Sequence, residues 1–395
     1  MRVGEGPVTR RALLAAGIAL PAWALAACIG GEEPAATMPA TAAPSATPAP
    51  RATFVPLATA TSTPTATSTS SPTPSATPTA TATPSPSPTI TPTPVLYRSP
   101  LSGLPLAEPA RKPLAVQINN EPAARPQTSI QYADVVYEYP TESAVTRFTA
   151  FFGTTLPDDI GPVRSVRIAA LEIIPAHDGM LVYSGGSIDM TAALFTSGLP
   201  AMHAEGNGSA ASRREPSRFA PHNLYVSGPG TYAVAEELGF AGPSRAQSFT
   251  FGPLPSGGAQ SSGVTIPYTS GVVDLLYNPT LLRYERSVDG LPHLDLVTQQ
   301  RLRVDNVVLL YAPFAFVDIV EDYAGETTLG VTLRGEGRAA IFRDRRAYDA
   351  LWRRPDYPDV FRFYDPADGR ELSLKTGQTW LAIIPEWLPE VTRHP

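Results

Sequence analysis

Leu114-Ala115-Val116-Gln117-Ile118, set between Pro113 and Asn119-Asn120, reads as a buried β-strand and fixes the reading of what surrounds it. Ala133-Asp134-Val135-Val136-Tyr137-Glu138-Tyr139 is a second strand, ended by Pro140. Residues 145–152 form a third, with Thr146, Phe148, Ala150 and Phe152 on one face at period two. After Pro162 a helical pattern runs from Val163 to Ile174 and puts Val166, Ala169, Ala170 and Ile173 on one face. A fourth strand spans 180–183. Gly185-Gly186-Ser187 then leads into a helix over 188–195, and a third helix covers 232–238. Residues 97–245 therefore read as a mixed α/β domain.

A connector over 246–270 separates this region from patterns that are mostly strands. Residues 272–278 and 281–287 flank Pro279-Thr280 as a hairpin, and the apolar run 306–316 reads as a central strand. Residues 327–333 and 338–342, joined through Gly335 and Gly337, suggest a second hairpin. Residues 348–353 suggest one helical turn, and 361–364, 372–374 and 379–384 add further strands. The expected class is α+β: an N-terminal mixed α/β domain followed by a strand-rich C-terminal domain over 271–390.

The first 27 residues carry a different signal. Arg10-Arg11, an apolar run from Ala12 to Leu25 and small residues before Cys28 have the layout of a secretory signal. Leu25-Ala26-Ala27-Cys28 resembles a bacterial lipobox, which implies cleavage before Cys28 and lipid on that residue. Cys28 is the only cysteine in the chain, so it has no disulfide partner within it. Thr9-Arg10-Arg11-Ala12-Leu13-Leu14 suits either general or twin-arginine export. From 35 to 96 the chain is almost wholly Ala, Thr, Ser and Pro, with Arg51 as its one charge. Such a stretch has too little apolar bulk for a core and reads as a disordered tether over 28–96. Partly extended, it would reach on the order of 100 Å.

The formal net charge of −6 offers no basic patch for nucleic acid. Five histidines without a Cys/His cluster argue against a structural zinc site, and no cofactor is expected. The chemistry-bearing candidates lie in the first domain. Arg164 and Arg167, at the expected start of a helix, would suit an anion, joined by Arg147 and Arg125. The competing reading pairs them with internal acids such as Glu138, Glu142 or Asp159. Asn119 and Asn120 follow a strand end, where open sheets place ligand groups. Pro221-His222-Asn223 is the candidate for acid–base work, with His222 titrating near neutral pH and Asn223 orienting a ligand or the imidazole. Ser165, Ser184 and Ser187 are possible nucleophiles, but none stands in a Gly-x-Ser-x-Gly elbow. Trp352, Trp380 and Trp387 would either line a glycan face or pack in the core.

Several of these segments resemble the YerB-type bacterial lipoproteins. They are Leu101 to Leu106, Ile118 to Gln127, Ala133 to Glu138, Thr146-Arg147-Phe148, Gly161 to Arg167, Gly185-Gly186-Ser187, Ala220 to Tyr225 and Gly377 to Pro385. The resemblance implies a lipoprotein with two family domains and supplies no reaction. Where the family would place a histidine ahead of Gly185-Gly186, this chain has Tyr183-Ser184. The expectation is an extracytoplasmic protein, anchored to the bacterial cell membrane through Cys28. Its partner would be an anionic cell-wall polymer or another envelope protein, and the alternative is an envelope hydrolase or transferase working through His222.

Overall fold

The computed structural model describes residues 97–142, 144–320 and 325–395. The signal segment, Cys28 and the tether lie outside the described residues. Strands β1 (Leu114–Asn119), β2 (Val135–Pro140) and β3 (Thr146–Phe152) stand where the apolar runs predict them. Helix α1 (Ile168–Ile173), β4 (Met180–Tyr183), α2 (Ile188–Ser197), β5 (Ala201–His203) and α3 (Gly228–Glu237) follow. The next strands are β6 (Gly263–Tyr268), β7 (Gly271–Asn278), β8 (Arg283–Val288), β9 (Asn306–Ala312) and β10 (Phe314–Val320). The last are β11 (Thr327–Val331), β12 (Gly335–Arg343), β13 (Arg346–Arg354), β14 (Thr379–Pro385) and β15 (Thr392–His394).

An eleven-stranded sheet contains the order β13-β12-β9-β14-β2-β3-β1-β4-β5. β9, β14 and β2 pair in parallel, as do β1, β4 and β5. β3 lies between the two sets, antiparallel to both β2 and β1. Both parallel sets therefore point the same way, and their C-terminal ends line one edge of the sheet. The expected boundary near residues 246–270 does not interrupt this sheet, since β14 pairs directly with β2. The class is α+β, with strands predominating over short helices.

Each face of the sheet is covered, so β1, β2 and β3 are buried almost throughout. Period two sends Ile118, Phe148 and Trp380 to one face, where they pack with Ile266, Leu275 and Tyr284 of a second, six-stranded sheet built on β6, β7, β8 and β15. The opposite face carries Tyr137, Phe151 and Leu181 against Val166, Ala170 and Ile173 at α1. An ionic network pins the second sheet down. Arg286 Nη2 on β8 donates to Glu138 Oε1 on β2 at 2.8 Å, and both side chains are sealed from solvent. Trp380 Nε1 and Thr146 Oγ1 each donate to the same carboxylate at 2.9 Å. The remaining Arg286 reach is taken by His293 Nδ1, and His293 Nε2 donates to Gln127 Oε1 at 2.5 Å. Burial, with Arg286 beside it, holds His293 far below its ordinary pKa, so its ring stays neutral.

Four expectations are corrected. Residues 163–167 are extended instead of helical, because Val163 N and Arg164 N donate to Leu224 O and Gln117 O at 2.7 and 2.9 Å. Residues 348–353 belong to β13, whose hairpin with β12 turns at Asp344-Arg345, both with positive φ. β11 pairs with β10 and not with β12, and Pro313 divides the run 306–316 between two sheets. β6 occupies the latter part of the expected connector, paired with β7 and β15.

Candidate functional site

In open sheets of this kind, ligand groups gather beyond the carboxyl ends of parallel strands. β1, β4 and β5 end side by side at Asn119, Tyr183 and His203. Loops carrying Arg164, Ser184 and His222 gather over these ends.

Asn119 is the fixed point. Its Oδ1 accepts Glu121 N at 3.1 Å, which settles the amide orientation, so Nδ2 donates to His222 Nδ1 at 2.9 Å. The neutral ring then carries its proton on Nε2, which faces Glu121 Oε2 at 3.8 Å. Glu121 Oε1 in turn accepts Arg164 Nη2 at 3.2 Å. Asn119, Glu121, Arg164 and His222 thus make one polar group, partly open to solvent. No serine hydroxyl is bonded to His222 among the described residues. Ser184 Oγ donates to Glu205 Oε2 at 3.0 Å, and Ser187 Oγ caps α2 by accepting Met190 N.

Three of the four expected arginines are gathered here with unequal partners, whereas Arg125 lies with Asn120 on the other side of the sheet, donating to its Oδ1 at 3.1 Å and its carbonyl at 2.9 Å. Arg167 Nε lies 2.5 Å from Glu142 Oε1, and Arg164 is paired with Glu121. Arg147 is 2 % exposed and has no carboxylate partner among the described residues. Among the described residues its Nη1 reaches only Ser165 O at 3.4 Å, and its buried Nε, like those of Arg164 and Arg286, has no hydrogen-bond acceptor. Burial, then the neighbouring Arg167 and Arg164 guanidiniums, push its pKa down to about 9. The acids named as partners divide differently: Glu142 serves Arg167, Glu138 serves Arg286, and Asp159 serves the surface residue Arg213.

Two predicted ligand groups are turned away. Asn120 faces the other side of the sheet, where its Nδ2 donates to Thr146 Oγ1 at 2.6 Å and its Oδ1 accepts from Arg125 and Gln127. Asn223 holds its own loop together, donating to Arg218 O at 3.1 Å and accepting Arg214 Nη1 at 2.6 Å. Glu121, His203, Glu205 and Arg214 were not foreseen. Glu121 was legible in principle, since it directly follows the asparagine pair at a strand end. His203 comes from β5, and its Nε2 accepts Gly185 N at 3.1 Å while its ring meets Tyr183 edge-on at 5.1 Å. A histidine thus stands beside Gly185 although Tyr183-Ser184 precede the glycines. Among the described residues, no cluster of three or more His, Cys, Asp or Glu side chains is placed to hold a metal ion.

Comparison with known proteins agrees with this architecture. Residues 101–241 match the N-terminal domain, and 264–381 the C-terminal domain, of a family described as protein of unknown function DUF3048. The chain is 28% identical over 302 residues to YerB of Bacillus subtilis (strain 168), a protein that carries a lipoprotein name. That alignment covers 73% of this chain and 86% of the relative. The crystal structure of the Bacillus subtilis YerB protein matches with a TM-score of 0.66 at 25% identity, over 75% of this chain and 99% of that one. With both family domains present in order and the same fold in YerB, this chain belongs to the DUF3048 family of YerB-like lipoproteins.

Proposed function

We propose that this protein is a membrane-anchored extracytoplasmic lipoprotein that binds an anionic component of the cell envelope at the C-terminal edge of its sheet. One observation supports the reading: Arg147 is buried beside Arg164 and Arg167 and has no ion-paired carboxylate among the described residues. A buried guanidinium without an anion is costly, and a carboxylate or phosphate from a ligand would complete it through bidentate hydrogen bonds. The partly open group of Arg164, Glu121 and His222 gives such a ligand polar contacts at the surface. Hydrolysis or transfer through His222 has less support, because among the described residues no nucleophile is bonded to it. Co-sedimentation with purified cell-wall material tests the reading. The wild-type chain should pellet with the wall, less so at high salt, and Arg147→Met should stay in the supernatant. Equal pelleting of the two would refute it.

A further inference from the structure

The same edge carries a second feature. Where β2, β9 and β14 end at Pro140, Ala312 and Pro385, a groove of about 430 Å³ opens. Its walls include Trp387, Phe314, Phe316 and Tyr268 on the aromatic side and Thr141 and Glu142 on the polar side. Trp352 and Trp380 are core residues, but Trp387 is 55% exposed and meets Phe314 edge-on at 5.4 Å. Phe316 is 67% exposed. Large aromatics left in water beside a groove mark a recognition surface.

The groove is not isolated from the arginines. Glu142, on its polar wall, is the ion-pair partner of Arg167, whose charge in turn acts on Arg147. The β10–β11 hairpin that supplies Phe314 and Phe316 also reaches α2, where Val320 N donates to Asp189 Oδ2 at 3.2 Å. Aromatic wall and cationic cleft thus share one sheet edge.

We infer that the groove is a saccharide subsite, and that the occupant of the edge is a carboxylated glycan strand. Its sugar rings lie on Trp387 and Phe316, and its acid group points to the arginine end. A sugar ring presents an apolar C–H face to an aromatic ring, which matches the exposed faces of Trp387 and Phe316. Charge complementarity selects an acidic strand over a neutral one, and a planar carboxylate fits a guanidinium fork. The acid half of this inference rests on the anion-binding reading above; the stacking half rests on the groove alone.

Calorimetric titration of the full chain with two probes tests it: a neutral N-acetylglucosamine hexasaccharide and a hexasaccharide of equal length with alternating glucuronate. The acidic probe should bind at least tenfold more tightly than the neutral one. Trp387→Ala and Phe316→Ala, both at exposed positions, should weaken both probes tenfold or more. Arg147→Met should bring the acidic probe to the level of the neutral one. Wild-type binding by both groove variants, or no binding of the neutral probe, would overturn the saccharide subsite even if Arg147→Met still abolished the acid preference. Loss of a dimer on Trp387→Ala would identify a second copy of the chain as the occupant and overturn it too.

Discussion

Arg147 and Arg286 are both buried arginines, and the structure predicts opposite consequences for removing them. Arg286 is bonded to Glu138 at 2.8 Å, and Trp380 and Thr146 complete the carboxylate. Arg286→Met would strand that carboxylate in the core. Breaking one side of a buried pair costs about 3–5 kcal/mol. Among the described residues Arg147 has no such partner: a 3.4 Å contact to Ser165 O is its one hydrogen bond there. Methionine has a similar volume and fills the same space without an ion. Removing an unsatisfied buried group recovers about 1–3 kcal/mol. Arg147→Met should therefore stabilise the ligand-free protein, and Arg286→Met should destabilise it.

Urea unfolding reads both effects, with the buried Trp352 and Trp380 as reporters. The midpoint should rise for Arg147→Met and fall for Arg286→Met, with m unchanged if both remain two-state. An anionic ligand should then raise the wild-type midpoint by mass action and leave that of Arg147→Met unmoved. If Arg147→Met destabilises as much as Arg286→Met, Arg147 is a structural residue, and the argument for an anion site fails with it.

Acid should act through His177. Its ring is fully buried, with Nε2 bonded to Tyr137 Oη at 2.8 Å, and burial, aided by Arg354, lowers its pKa from 6.5 to about 3. The unfolded chain takes up this proton as pH falls through 6.5, while the folded chain does not until about 3, so stability is lost across that window as pH falls. At 1.36 kcal/mol per pH unit the loss reaches about 2 kcal/mol by pH 5. His177→Gln keeps a partner for Tyr137 but does not titrate, so its stability should fall less between pH 7 and pH 5; parallel curves would count against this account. Cys28→Ser, by removing the expected lipid attachment site, should shift the chain from the membrane to the soluble fraction on cell fractionation, and unchanged partition would argue against the anchor.

Much of the first region was legible because buried strands leave a strong mark. β1, β3 and β4 fall within a residue of their expected bounds, since apolar runs between breakers have few other uses. The errors share a cause: tertiary partners outbid local pattern. The 163–167 segment has a helical apolar spacing, yet its N–H groups are taken by Gln117 and Leu224, which are distant in sequence. Tyr348 to Arg353 likewise follow a turn whose Asp344-Arg345 pair carries no glycine or asparagine to announce it, so the hairpin went unread. The pairing of β14 with β2 joins residues more than 240 apart, and no local signal reveals that one sheet spans both family domains.

The site shows what strand parity decides when it is carried through. Asn119 and Asn120 together suggest one ligand-binding pair, but neighbouring side chains on a pleated strand point to opposite faces. Gln117 and Asn119 share one parity on β1; Ile118 and Asn120 share the other. β3 pairs Asn119 with Arg147, and Tyr139 of β2 also stands opposite Arg147. Asn119 and Arg147 therefore belong to the α1 face, with the cleft, whereas Asn120, Thr146 and Glu138 belong to the face under the second sheet. There Asn120 meets Glu138 and Thr146, as the parity requires. The period that located the strands thus also separates the cleft-facing pair, Asn119 and Arg147, from the buried lock of Asn120, Thr146 and Glu138. What parity cannot supply is the partner from outside the sheet. Glu142 reaches Arg167, and Arg286 reaches Glu138, through loops and a second sheet whose positions local sequence does not encode. Arg147 stands out only against that background. On β3, where every residue is buried, it is the one charged side chain, and it has no ion-pair partner among the described residues, which is the observation behind the proposed anion site.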